Sequence, residues 1–204
     1  MSSTTAERAA NPGRPRVEGD REEEILAAAL GLLLELGYDR LTMDAVAKAG
    51  RASKATLYRR WASKPALVID ALVRAKAAPH PVEPDTGSLR TDLIETFCGA
   101  AGQANEASTR ILAAVLTAIS TDAEFAALFR EQFIAPKIAI TQHIYERAIA
   151  RGEVDPSVDL DVIGPALAGI VLHRAYLLGQ APDRESIERV VDRVILPAVR
   201  AAGT

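Results

Sequence analysis

Thr42-Met43-Asp44-Ala45-Val46-Ala47-Lys48-Ala49-Gly50-Arg51-Ala52-Ser53-Lys54-Ala55-Thr56-Leu57-Tyr58-Arg59-Arg60-Trp61, followed by Ser63-Lys64-Pro65-Ala66-Leu67, is the stretch that decides the fold. Thr42 can cap a short helix over residues 43–49, because its hydroxyl oxygen can accept from a first-turn amide. Gly50, Arg51 and Ala52 then make a tight turn. Ser53 can cap a second short helix to about residue 60, and Ser63 a third to about residue 77. In that third helix Pro65 falls in the first turn, where a missing N–H costs little. Ala47 is small enough to face a partner helix, and Leu57 and Trp61 stand at i and i+4 as core anchors. Short helices with a tight turn between the first two are the sequence form of a helix-turn-helix.

Working outward, residues 1–17 carry Asn11-Pro12-Gly13-Arg14-Pro15-Arg16 with no apolar period, which reads as a flexible basic arm. Asp20 and Glu23 have the spacing of a capping box for a first helix. Ile25, Ala29, Leu32, Leu33 and Leu36 form its apolar stripe, and Gly37 ends it. Downstream, His80-Pro81-Val82-Glu83-Pro84-Asp85-Thr86-Gly87 is a breaker cluster. It divides a small domain over 18–78 from a larger one over 88–204. The larger one reads as helices over 88–103, 108–120, 122–151, 160–178 and about 185–200, with Pro136 expected to kink or break the third of these. No stretch alternates as a strand would, so the fold class is all-α.

Net charge is −3, yet it is unevenly spread. Residues 1–78 hold 13 Lys/Arg against 10 Asp/Glu, and residues 45–69 hold six basic residues and no acidic one. A basic segment on an acidic chain suggests local contact with a polyanion; a solvated helix face gives the same pattern. Major-groove reading needs hydrogen-bond donors at the start of the second helix of the motif, with basic and hydroxyl groups around it for phosphates. Ser53, Lys54, Thr56, Tyr58, Arg59 and Arg60 supply such donors.

The quoted segments resemble the DNA-binding signature of the TetR family over roughly residues 20–78, and Gly13-Arg14-Pro15-Arg16 is similar to arms that precede this domain in many relatives. The resemblance implies an N-terminal three-helix helix-turn-helix domain and a larger C-terminal helical domain for ligand binding and dimerisation. It implies that Thr42 touches a phosphate and that Ser53, Lys54, Ala55 and Thr56 face the bases. Ala55 offers only a methyl group, fit for a thymine methyl. It places Tyr58 and Lys64 at backbone-phosphate positions, lets Arg59 and Arg60 reach the backbone, and puts Trp61 in the core. The family usually has a glycine where this chain has Arg51. Either the turn shifts by one residue, or a left-handed arginine costing roughly 1–2 kcal/mol is tolerated and Arg51 gains a phosphate. Arg14 and Arg16 are either a tail without a role or an arm that orders in the minor groove.

For the C-terminal part, residues 160–178 are apolar nearly all round, apart from His173 and Arg174. Such a helix needs cover on more than one side. With the stripe Ile187, Val190, Val191, Val194, Ile195, Ala198 and Val199 it suits a bundle shared between two copies, as the resemblance implies for helices at about 158–178 and 185–200. Gly164 and Gly169 would allow close helix approach. An effector site is implied among residues 88–178. Phe97, Leu116, Phe129, Phe133, His143, Tyr145, His173 and Tyr176 are its candidates, each of which could equally be core, interface or surface. Few charges lie within these faces, so the implied effector is a small, mostly apolar molecule. Its expected action is to move the helix after the boundary, which would tilt the helix over 64–77.

One cysteine, Cys98, excludes an intrachain disulfide and fits a reducing cytosol. No leader pattern and no long uncharged run predict secretion or a membrane span. His143 and His173 have no carboxylate or thiolate arrangement that would make a metal site, and no cofactor is implied. No phosphate-cradling glycine loop or nucleophile motif points to an enzyme. The expected partners are double-stranded operator DNA, a small effector and a second copy of the chain. The resemblance implies a repressor that binds a near-palindromic operator as a dimer and is released by the effector; competing readings are a helical interaction module, an activator, or a regulator without a ligand.

Overall fold

Gly37 closes the first helix in the left-handed region, at φ 78, and its amide donates to the carbonyl of Leu33 at 2.9 Å. That helix is α1 (Glu18–Leu36) of the computed structural model, which describes residues 18–76, 83–98 and 106–200. Arg14, Arg16, residues 77–82 with the first part of the boundary, and the expected end of the helix at residue 103 lie outside the described residues. Helical structure is already present at Glu18, so Asp20 sits inside α1 and is not its cap.

The next three helices follow their caps. α2 (Met43–Ala49) starts at Thr42, whose Oγ1 accepts from the Ala45 amide at 3.2 Å. α3 (Lys54–Arg60) starts at Ser53, whose Oγ accepts from the Thr56 amide at 3.0 Å. α4 (Lys64–Lys76) starts at Ser63, whose Oγ accepts from the Ala66 amide at 3.3 Å. α4 packs against α1, and α2 against both α1 and α3.

At the turn between α2 and α3 the backbone does not shift by one residue: Arg51 itself takes the left-handed position. Its amide donates to the Lys48 carbonyl, and the Ala52 amide to the Ala47 carbonyl. This bonding is a Schellman cap whose left-handed residue is Arg51, at φ 50. Gly50 is needed for a different reason. A Cβ there would meet Ile25 Cγ1 at 3.2 Å and the Val46 carbonyl at 3.1 Å. The glycine lets α2 approach α1, and the strained position falls to the next residue.

α5 (Leu89–Cys98), α6 (Glu106–Thr121) and α7 (Ala123–Leu128) follow, the last capped by Asp122. Pro136 does not break the chain. A π-helical turn (Phe129–Ile134) widens the helix just before it, and α8 (Ala135–Ala150) continues with the proline in its first turn. Proline clashes with the carbonyl four residues back in a regular helix, and one wide turn relieves that crowding. The same device recurs at Pro197. α11 (Arg184–Val190) passes through a π turn (Val191–Ile195) into α12 (Leu196–Arg200). The apolar segment between α8 and α11 divides at Gly164-Pro165 into α9 (Leu160–Ile163) and α10 (Ala166–Leu177). No strand occurs among the described residues.

Two apolar cores result. The first joins Ile25, Leu33, Val46, Leu57, Trp61 and Leu72 of the N-terminal helices to Ile111, Val115, Phe125, Phe129 and Phe133 of α6, α7 and the first π turn. The second joins Leu89, Phe97, Tyr145, Leu167, Ile187 and Val199 of α5, α8, α10, α11 and α12. The helix-turn-helix therefore shares its core with α6 and α7. The principal neighbours of α5 are α8, α11 and the second π turn, whereas α4 meets α1, α7 and the first π turn. This differs from the expectation that the helix after the boundary bears on α4: the contact is made two helices later in the chain.

Candidate nucleic-acid interface

Leu57 and Trp61 anchor α3, with Leu57 fully buried and the Trp61 indole N–H donating to Asp70 Oδ2 at 2.9 Å. With that face inward, Ser53, Lys54, Ala55, Tyr58, Arg59 and Arg60 are left exposed, and Thr56 half-buried. Tyr58 shows 53% of its surface. Ser53 and Thr56 share a hydrogen bond between their hydroxyls at 2.8 Å. Thr42 and Arg51 are exposed at the two ends of α2. The Thr42 oxygen is occupied as a cap, so its hydroxyl proton remains available to an acceptor.

The cations of this surface differ in how far they are already engaged. Arg59 has no ion-pair partner among the described residues, nor does the Arg51 guanidinium. Lys54 Nζ lies 2.6 Å from Asp44 Oδ1. Arg60 is held by Glu22 at 2.9 Å, and Arg74 bonds the same carboxylate while also reaching Asp70. The Arg60 hydrogen bond heads the causes that hold the Glu22 carboxyl below the usual carboxylate range. Arg60 thus clamps α3 to α1. Lys64 donates to the Tyr38 carbonyl at 3.1 Å, and its Nζ stands 3.9 Å from the centre of the Tyr38 ring. The Arg51 carbonyl accepts from Arg21, which ties the strained turn to α1.

Behind this surface lies a polar junction that no local signal in the sequence announces. Tyr38 Oη donates to Asp122 Oδ2 at 2.7 Å, and Ser63 Oγ donates to Glu124 Oε1 at 2.6 Å. Asp122 also accepts from the Phe125 amide; that bond first, then Tyr38, depresses its carboxyl below the usual range. Burial and Asp122 push the Tyr38 hydroxyl upward. Tyr38, Phe125, Phe129 and Phe133 form a row of rings, each 4.7–5.9 Å from the next.

The effector candidates are dispersed. Phe129 and Phe133 belong to the first core and Phe97 and Tyr145 to the second. Leu116, His143 and His173 are exposed, and His143 faces Glu83 at 3.3 Å. Tyr176 is half-buried and hydrogen-bonded to the backbone of Ala113. Tyr145 is 1% exposed, its hydroxyl has no hydrogen-bond partner, and burial pushes its pKa up to about 12. Among the described residues no group of three or more His, Cys, Asp or Glu could hold a metal ion.

Comparison with known proteins agrees with this architecture. Residues 25–71 match the model of bacterial regulatory proteins of the tetR family, and residues 83–194 match the tetracyclin repressor-like C-terminal domain. An uncharacterized HTH-type transcriptional regulator of Mycobacterium tuberculosis is 38% identical over 205 residues, covering 98% of each chain. A DNA-binding transcriptional repressor TetR of Mycobacteroides abscessus is 34% identical, covering 88% of this chain and 94% of its own. Among solved structures, the crystal structure of a TetR family transcription regulator superposes with a TM-score of 0.65 at 30% identity, covering 86% of this chain and 97% of that one. With its capped helix-turn-helix and its helical C-terminal domain, the chain is a member of the TetR family of transcriptional regulators.

Proposed function

We propose that the chain is a cytoplasmic repressor that binds a near-palindromic operator as a homodimer and leaves it when a small, mostly apolar effector enters the C-terminal domain. The observation that carries this reading is the uncovered α9–α10 segment. Its 18 residues from Leu160 to Leu177 have a mean hydropathy of 1.3, high enough by length and composition to cross a membrane, yet only 6% of them are buried. Val162 is 65% and Leu177 75% exposed. A second copy covering this segment and the exposed Val194 of the neighbouring π turn explains why they are apolar, and Asp161, Arg174 and the Gly164-Pro165 break suit a lipid surface poorly. A two-fold axis through these helices would set two α3 helices one DNA turn apart, roughly 34–36 Å.

The repressing activity named for the M. abscessus relative supports the sign of regulation. Effector control then runs through α6, α7 and the first π turn, because these are the elements docked on α1 and α4. Coupling of about 1–3 kcal/mol suffices for such release. No catalytic step and no cofactor belong to this reading.

The test is selection of duplexes from a random pool by the full-length protein, with affinities of the enriched sequence measured at two salt concentrations. The expected result is an enriched near-palindrome whose binding weakens with salt, because phosphate contacts release counterions. No enrichment at low salt would favour the interaction-module reading instead.

A further inference from the structure

Asp44 is the single acidic residue between Asp39 and Asp70, and it stands on the surface that this reading gives to DNA. It occupies the first turn of α2, and its Oδ1 lies 2.6 Å from Nζ of Lys54, the first residue of α3. Both side chains are about three-fifths exposed, at 61% and 60%. Thr42 already caps α2, so the helix does not need Asp44 for its first amides. A surface built only for tight binding to phosphates would omit it. The carboxylate cancels one of the few charges free to attract DNA and itself repels phosphate.

We propose that Asp44 is a positioning residue for sequence discrimination, holding the Lys54 ammonium for base-edge acceptors and withholding it from phosphates. An ammonium has three donors. One is taken by Asp44, and the other two remain for a pair of acceptors such as O6 and N7 of guanine, which lysine can read in the major groove. A duplex presenting those acceptors keeps the ion pair and gains the base contact. A duplex lacking them meets a neutralised lysine and an adjacent negative charge. The pair thus acts more against wrong sequences than for the right one, which is how specificity arises as a difference of affinities. The inference rests on α3 being the helix that enters the major groove.

The experiment compares binding of the full-length protein to the duplex it selects and to a scrambled duplex of equal length and composition, over a salt series. Asp44→Asn should tighten binding to the scrambled duplex and narrow the affinity ratio by about three- to fivefold, the range a partly exposed ion pair supplies. Its scrambled-duplex slope of log K against log salt should steepen by up to about 0.9, one phosphate contact. Asp44→Glu should restore most of the ratio. In a Lys54→Met background, Asp44→Asn should leave the ratio unchanged. A role limited to the helix dipole would alter thermal stability and spare the ratio, and that result overturns the proposal. So does a change that persists without Lys54, which would make Asp44 a general repulsive charge. If the wild-type protein enriches no duplex at all, the DNA-binding reading itself has failed and takes this proposal with it.

Discussion

Arg51 occupies a left-handed position that glycine fills at little cost, at φ 50, while Gly50 beside it serves close packing against Ile25. Gly152 shows the unstrained version of the same cap at the end of α8, at φ 75. Arg51→Gly should therefore raise stability by about 1 kcal/mol in urea unfolding. The same variant should weaken DNA binding if the guanidinium reaches a phosphate. Loss of stability would show that the Arg51 side chain supports the turn in some other way. Tyr145 presents the opposite situation, a hydroxyl buried among apolar side chains with nothing to bond. Tyr145→Phe should stabilise the free protein by about 1 kcal/mol, since an unsatisfied buried polar group is costly. A marked destabilisation would reveal a bound water or small molecule at that oxygen. Asp122 gives the pH dependence. Its folded carboxyl is depressed by the Phe125 amide and Tyr38, so the stability it contributes is complete above its unfolded value of about 3.9 and is lost as pH falls through the folded one. Urea midpoints below about pH 4 should fall less steeply in Asp122→Asn than in the parent.

At the scale of elements, what could be read beforehand was whatever is encoded within four residues. Thr42, Ser53, Ser63 and Gly37 mark their helix ends because a cap needs only its own first or last turn. What could not be read was encoded across the chain: Arg60 with Glu22, Tyr38 with Asp122, and Ser63 with Glu124 lie 38, 84 and 61 residues apart. Nothing local distinguishes an arginine that will grip a phosphate from one that will grip α1. Pro136 was legible as a disturbance but not as a π turn, because the disturbance is absorbed in the residues before it. The uncovered α10 carries a prediction at this scale. Leu177→Glu should raise the dimer dissociation constant at least about a hundredfold in sedimentation equilibrium, because an unpaired buried charge is strongly unfavourable. An unchanged association state would contradict the proposed dimer contact through α10.

For the whole molecule, the boundary at residues 80–87 separates stretches of sequence, but the packing follows a different division. The first core runs from α1 to Phe133 and includes α6 and α7. The second gathers α5 with α8 and the last helices. The latter part of that boundary, from Glu83 onward, is fastened to the second body. Arg147 and Arg151 hold Glu83, Asp85 and the buried Asp92, while the amide of Thr86 donates to Asp92 Oδ1 at 2.7 Å. Among the described residues, α6, α7 and the first π turn are the elements of the C-terminal part that pack on α1 and α4, so the proposed coupling to the helix-turn-helix would pass through them. The candidates for the proposed effector site, from Phe97 to Tyr176, do not gather in one place because size and polarity, the properties that mark them in the sequence, also describe ordinary core and surface.

Hydroxyl-radical footprinting of the full-length protein on the duplex it selects is the most direct test that two copies of α3 read one operator. The account predicts two protected patches related by the operator's pseudo-twofold, with centres about 10 base pairs apart, the spacing of one helical turn. A single protected patch, or two at a spacing that is not a multiple of the helical turn, would contradict it.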